Sequence, residues 1–222
     1  MRVTFAPLIL AVLVAAILGA AMWVVVFHRG KGRKTVSHEL EAQGLGLTYR
    51  GKGDKEFRAR FSFLAAVPRS ASIRHVYEGL LDGRPIEVFQ SSYMVSTGQS
   101  MVQVSHTIYA VEAPAWPATQ IAARNWFGRL FRKLGGPRGL ELDDPEFNRR
   151  FRLKTDDEDF AIALLSPEMQ AFMLSKTSVK WRITPGRLCM IYNGALNVDR
   201  MEASLQRLQR FWELVPAELE AW

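Results

Sequence analysis

The sequence holds a single cysteine, Cys189, among its 222 residues. A chain with one cysteine forms no disulfide within itself and offers no cysteine-rich zinc site. This scarcity of cysteine fits a reducing compartment such as the cytoplasm. Because Cys189 lies inside the apolar stretch 188–192, we predict a buried, unreactive thiol at this position rather than a nucleophile.

Sequence signatures of known chemistry are also missing. The chain has no Gly-x-Ser-x-Gly motif, no phosphate-binding loop and no dinucleotide-binding glycine pattern. The acidic run at residues 156–159 lacks the alternating ligand spacing of a calcium loop and suits the start of a helix instead. We therefore predict no catalytic residue and no cofactor, and we favour a protein that is not an enzyme.

No acidic residue precedes Glu39, and residues 7–27 contain no charged side chain at all. About 20 apolar residues are enough for a helix to cross a bilayer, where only a helix satisfies its own backbone. We interpret residues 7–27 as a single transmembrane helix. A signal peptide cleaved near Gly19 and Ala21 and a buried helix are the competing interpretations. The apolar run continues past that cut to Phe27, which favours an uncleaved anchor.

Positive charge is distributed unevenly around this apolar run. Only Arg2 precedes it, whereas four basic residues follow within a short stretch: Arg29, Lys31, Arg33 and Lys34. The positive-inside rule then places the C-terminal part in the cytoplasm, with the protein in the cell membrane. The flank also predicts contact with the bilayer and its anionic lipid headgroups. Small residues four apart, from Ala11 to Gly19, are compatible with self-association of the helix.

The charge balance of the remaining chain argues against nucleic acid as a partner. The sequence has 29 Lys and Arg against 22 Asp and Glu. Once Arg2 and the four flanking residues are set aside, basic and acidic side chains almost cancel. A nucleic-acid module carries a strong basic excess, so we predict no nucleic-acid partner.

The rest of the chain predicts an α+β fold with one antiparallel β-meander, a second hairpin and packed helices. We divide it into a basic juxtamembrane linker with a short helix at 28–48, a soluble α+β domain at 49–216 and a tail at 217–222. Predicted strands cover residues 73–81, 86–95, 102–111, 151–154, 179–184 and 188–192. Predicted helices cover residues 35–43, 125–134, 160–165, 167–176 and 198–215.

A metal site is the most specific chemical hypothesis that the pattern offers. A two-residue turn at Asp82-Gly83 and a three-residue turn at 97–99 would collect the apolar residues of the meander on one face. The same register would align His75, Gln90 and His106 across three strands. Two imidazoles can ligate a metal, but the sequence provides no third ligand nearby, so structural histidines are favoured.

Several stretches resemble an uncharacterised family of membrane-anchored bacterial proteins that is common in actinomycetes. The resemblance is carried by Leu45-Gly46-Leu47-Thr48-Tyr49-Arg50 and by the turn region at residues 77–84. It also includes residues 144–151 and the helix pair around Ala163-Leu164-Leu165-Ser166-Pro167. The family has no assigned activity, so the resemblance implies an anchored topology and no site residues.

We conclude from the sequence that the chain is a single-pass membrane protein acting as a non-enzymatic binding or assembly module at the cytoplasmic membrane face. Its expected partners are lipid and an unknown protein. The alternatives are a membrane-tethered enzyme, such as a hydrolase without a recognisable motif, and an interaction protein that faces the envelope.

Overall fold

The computed structural model describes residues 38–124 and 140–222. Chain contacts separate two compact units, residues 1–44 and 45–222. Of the first unit only residues 38–44 are described, and they form helix α1. The predicted transmembrane helix at 7–27, the basic flank Arg29, Lys31, Arg33 and Lys34, and the predicted helix at 125–134 all lie outside the described residues. Within the described ranges, no helix is both long and apolar enough to cross a membrane.

The second unit is built on one antiparallel sheet of eight strands in the order β1-β2-β3-β4-β8-β7-β5-β6. Strands β2, β3 and β4 form the predicted meander, β1 pairs with its first strand, and β7 and β8 form the predicted second hairpin. Strand β5 had not been predicted; it lies between β6 and β7. The strands are Leu47–Lys52, Ser72–Leu81, Arg84–Ser96, Met101–Glu112, Thr119–Ala123, Phe151–Thr155, Lys180–Thr184 and Arg187–Asn193.

The helices are short except for the last one. They are α2 at Lys55–Arg60, α3 at Pro145–Arg150, α4 at Glu158–Leu164, α5 at Pro167–Leu174 and α6 at Met201–Glu213. Side chains cap two of these helices: Asp157 accepts a hydrogen bond from Phe160 N, and Ser166 accepts one from Met169 N. These acceptors satisfy backbone N–H groups that the first helical turn leaves unpaired. The acidic run at 156–159 therefore starts a helix, as predicted.

The turn between β2 and β3 has the predicted two-residue form. Asp82 and Gly83 both have positive φ, 50° and 80°, as a type I′ hairpin requires. The predicted three-residue turn between β3 and β4 is wrong. Ser96 pairs with Met101, so the loop is residues 97–100, which changes the register by one residue. A bulge between Arg74 and Tyr77 adds a second shift within β2.

One face of the sheet, which we call the α2 face, is closed over β2, β3, β4 and β8. Helix α2 and the following segment place Phe57, Phe61, Leu64 and Val67 against the sheet. The sheet presents Ile73, Val76, Phe89, Ile108, Ala110, Cys189 and Ile191 to this cluster. Aromatic rings pack at its centre, with Phe61 and Phe89 centroids 4.6 Å apart. Burial of these apolar groups holds α2 on the sheet.

The opposite face, which we call the α6 face, is covered by the C-terminal helices. The ring of Phe211 in α6 stacks on Trp181 of β7 at 4.9 Å, and Phe172 of α5 lies 6.1 Å from the same indole. On the sheet-facing side of α6, Met201, Leu205 and Leu208 are buried. Since both faces are covered at the centre of the sheet, strands there are apolar on both sides.

Candidate functional site

The two histidines proposed as weak metal ligands do not share a site. His75 lies in the β2 bulge with a φ of 52°, and its Nδ1 is 3.2 Å from Tyr49 Oη. His106 is buried in β4, and its Nε2 is 3.3 Å from Tyr93 Oη. Burial, and then the nearby charge of Lys180, lower the pKa of His106 below its ordinary value of 6.5. The buried ring is therefore kept neutral in the folded protein.

Gln90, the third member of the expected row, points to the other face of the sheet from His106. It pairs with Thr107, while His106 pairs with Ser91. Its Nε2 donates a hydrogen bond to Ser92 Oγ, and its Oε1 accepts one from Leu196 N. Gln90 therefore connects β3 to the loop that leads to α6. The row does not form because the register differs from the expected one. Within the described residues, 38–124 and 140–222, no three His, Cys, Asp or Glu side chains form a cluster that could hold a metal ion.

Cys189 has the environment that the sequence predicted. Its side chain is fully buried on the α2 face, and burial raises the pKa of the thiol to about 12. A thiol with this pKa is almost entirely protonated near neutral pH and is a poor nucleophile. The residue belongs to the core.

An ion triad joins α2 to the sheet. Glu87 on β3 accepts from Arg60 at 2.7 Å and from Arg187 at 2.6 Å. The guanidinium of Arg187 also lies 4.8 Å from the Phe61 ring centroid. These groups border a cavity of about 510 Å³ that is also lined by Glu78 and Glu112. The two arginines share the carboxylate of Glu87, one on each oxygen, and their guanidinium groups lie over rings of the aromatic cluster, so the triad closes the edge of the core.

The hairpin formed by β3 and β4 extends beyond its neighbours in the sheet. Pairing with β2 stops at Ser92, and pairing with β8 stops at His106. We call the extension, residues 93–104, the arm. Val95 and Val102 pair on the α2 face, and Met94 and Met101 occupy the other face. All four are exposed, between 39% and 60%. The arm is thus apolar on both sides although no described strand flanks its tip.

A second surface feature lies on the α2 face of β5, β6 and β7. The cross-strand pairs place Gln120 between Lys154 and Arg182, and Ala122 opposite Arg152. Lys180 is two residues from Arg182 and on the same side of β7. We call Arg152, Lys154, Lys180 and Arg182 the basic patch. Lys154 and Gln120 are exposed, and the other cations are half-buried.

The sequence contained a signal for each of these two surfaces. Met94, Val95 and Val102 lie in the predicted strands beside the turn, and Met101 directly precedes one of them. Nothing in the sequence shows how far the neighbouring strands reach. Arg152-Leu153-Lys154 and Lys180-Trp181-Arg182 alternate basic and apolar residues, as strands with one solvent-facing side do. Their proximity depends on β5, which the sequence did not reveal.

The fold defines a class of protein: an α+β domain with a single antiparallel sheet and helices on its faces. It is similar to the crystal structure of the mycobacterial trehalose monomycolate transport factor A, TtfA, with a TM-score of 0.52. The two share 11% sequence identity over 81% of this chain and 94% of that chain. At this identity the similarity establishes a common fold. No family model matches the sequence, and the curated proteins contain no match to it.

Proposed function

We propose that this chain is a non-enzymatic binding module, held by residues 7–27 in the cell membrane with its folded domain in the cytoplasm, that assists the transport of an envelope lipid. The anchor and its orientation rest on the apolar run and on Arg29, Lys31, Arg33 and Lys34 after it. The envelope role is supported by the fold that the chain shares with a trehalose monomycolate transport factor.

The observation that carries the binding role is the arm. A two-stranded ribbon without flanking strands is surrounded by water, and its side chains are normally polar on at least one side. Here Met94 and Met101 are 50% and 60% exposed on the α6 face, and both valines of the other face are exposed as well. Exposed apolar side chains gathered at one place mark an interaction surface, and methionine adapts readily to a partner's shape.

The arm therefore contacts a protein of the transport machinery through its methionine side. The double substitution Met94→Ser and Met101→Ser tests this role in a host strain that lacks the chromosomal copy. We expect folding and membrane level to be unchanged, because neither side chain contributes to the core. The movement of newly made glycolipid to the cell surface, measured with labelled trehalose as the first probe, should fall.

The matched control is Leu80→Ser. Leu80 is 65% exposed at the other end of the meander, so its substitution removes a similar apolar area far from the arm. The control variant should behave like the unmodified protein. Normal surface delivery of glycolipid with both methionines replaced, at equal protein level, would show that the arm has no role in it.

A further inference from the structure

The part of the α2 face formed by β5, β6 and β7 concentrates positive charge. Strands β5, β6 and β7 contain no Asp or Glu at any position. Neighbouring strands lie about 4.8 Å apart, and residues two apart on one strand are separated by about 7 Å. The four side chains of the basic patch therefore originate at the corners of a rectangle of about 10 Å by 7 Å.

Such an arrangement has a cost that packing does not explain. Like charges within about 10 Å of each other repel, and mixed charges at the same positions would serve solubility equally well. The apolar sides of these strands, with Ile121, Leu153 and Trp181, already face the α6 side and are buried. The cations on the other side do not take part in that apolar packing, although Lys180 also donates a hydrogen bond to Asn193 Oδ1. Their shared sign indicates an anionic counterpart.

We propose that the basic patch docks the domain onto anionic phospholipid headgroups of the membrane. The same α2 face continues from the patch into the arm, where Tyr93 and Val104 are half-buried and Val95 and Val102 are exposed. Cations that share a face with exposed valines and a half-buried tyrosine match the composition of a membrane interface. The proposal rests on the proposed function in one respect only, the attachment of the domain to a membrane.

Nucleic acid fits this surface less well. Binding of single strands depends on aromatic side chains among the cations, on which bases stack. The positions between the cations are Gln120 and Ala122, which offer no such platform. A flat array of headgroups requires only charge complementarity, and the patch supplies that.

The experiment uses the full chain reconstituted in lipid nanodiscs. A fluorophore is attached at Gln120→Cys, in the middle of the patch, and an acceptor is placed on a small fraction of lipid headgroups. Cys189 does not compete for the label because it is fully buried. The control label is at Glu168→Cys, an exposed position on α5 beside the opposite face. Discs of phosphatidylcholine are compared with discs containing about one third phosphatidylglycerol.

Energy transfer from position 120 should rise in the anionic discs and fall again at high salt, because exposed charges are screened. Transfer from position 168 should not rise. Lys154→Gln with Arg182→Gln should weaken docking about fivefold for each charge removed, or about 25-fold for the pair. Arg74→Gln with Arg200→Gln removes the same net charge from exposed positions elsewhere and should leave docking unchanged.

Equal transfer from position 120 in neutral and anionic discs would overturn the proposal. An equal loss of docking in the Arg74 and Arg200 variant would overturn it too, since net charge and not the patch would then be responsible. The Met94 and Met101 variant should dock normally in this assay. If the domain docks on anionic discs but the Met94 and Met101 variant delivers glycolipid normally, only the proposed function is refuted and the docking proposal stands.

Discussion

Phe61 is the residue on which closure of the α2 face depends most directly. It follows α2 and is fully buried, with Phe89 at 4.6 Å, Phe57 at 5.2 Å and the Arg187 guanidinium at 4.8 Å from its ring. Replacing a buried phenylalanine with alanine removes its transfer free energy and leaves a cavity, which costs about 3–5 kcal/mol. The lost contacts with the two rings and the guanidinium favour the upper half of that range.

The matched control is two residues away. Phe63 is the same residue type in the same segment but is 37% exposed, so Phe63→Ala should cost only about 1 kcal/mol. Both variants are made in the full chain in detergent, and the free energy of unfolding is measured by urea titration with tryptophan fluorescence. Equal losses for the two variants, or a loss below about 1 kcal/mol for Phe61→Ala, would refute the packing described for this face.

Two further predictions follow from buried titratable groups. Because the folded protein lowers the pKa of His106 below 6.5, the neutral ring contributes stability above that pH, and this contribution is lost as the pH falls. His106→Gln should therefore reduce the decline in unfolding free energy as the pH falls below 6.5; an unchanged decline would contradict the assignment. Since burial raises the pKa of the Cys189 thiol to about 12, a disulfide reagent such as Ellman's reagent should label the native protein at pH 8 far more slowly than the urea-unfolded chain. Rapid labelling of the native protein would show that the thiol is accessible.

The local elements of the domain could be read from sequence because their causes are local. Asp82-Gly83 makes a tight turn since both residues tolerate positive φ, and Ser166-Pro167 starts a helix since the serine accepts from the first turn. The prediction of the meander's register is wrong, and for a different reason. It was chosen to place all apolar residues on one face, but Phe89 and Val88 are both buried, on opposite faces. When both faces of a sheet are covered, apolar residues occur on both faces, and their positions do not indicate the register.

The functional surfaces could be predicted only in part. The exposure of Met94 and Met101 depends on where β2 and β8 stop pairing, which is set by contacts distant along the chain. The metal hypothesis for His75 and His106 also needed a register that a single bulge and one extra loop residue were enough to change. In each case an error of one residue alters which side chains meet.

The sequence by itself determined the alternation of the strands, the turn at Asp82-Gly83, the helix starts and the buried cysteine, because each depends on residues a few positions apart. The tertiary structure alone decided that β5 lies between β6 and β7, and thus that Lys154 and Arg182 share a surface. Neighbours in a sheet are chosen by the burial of whole faces across long stretches of chain. No short pattern records that choice, and the basic patch exists only because of it.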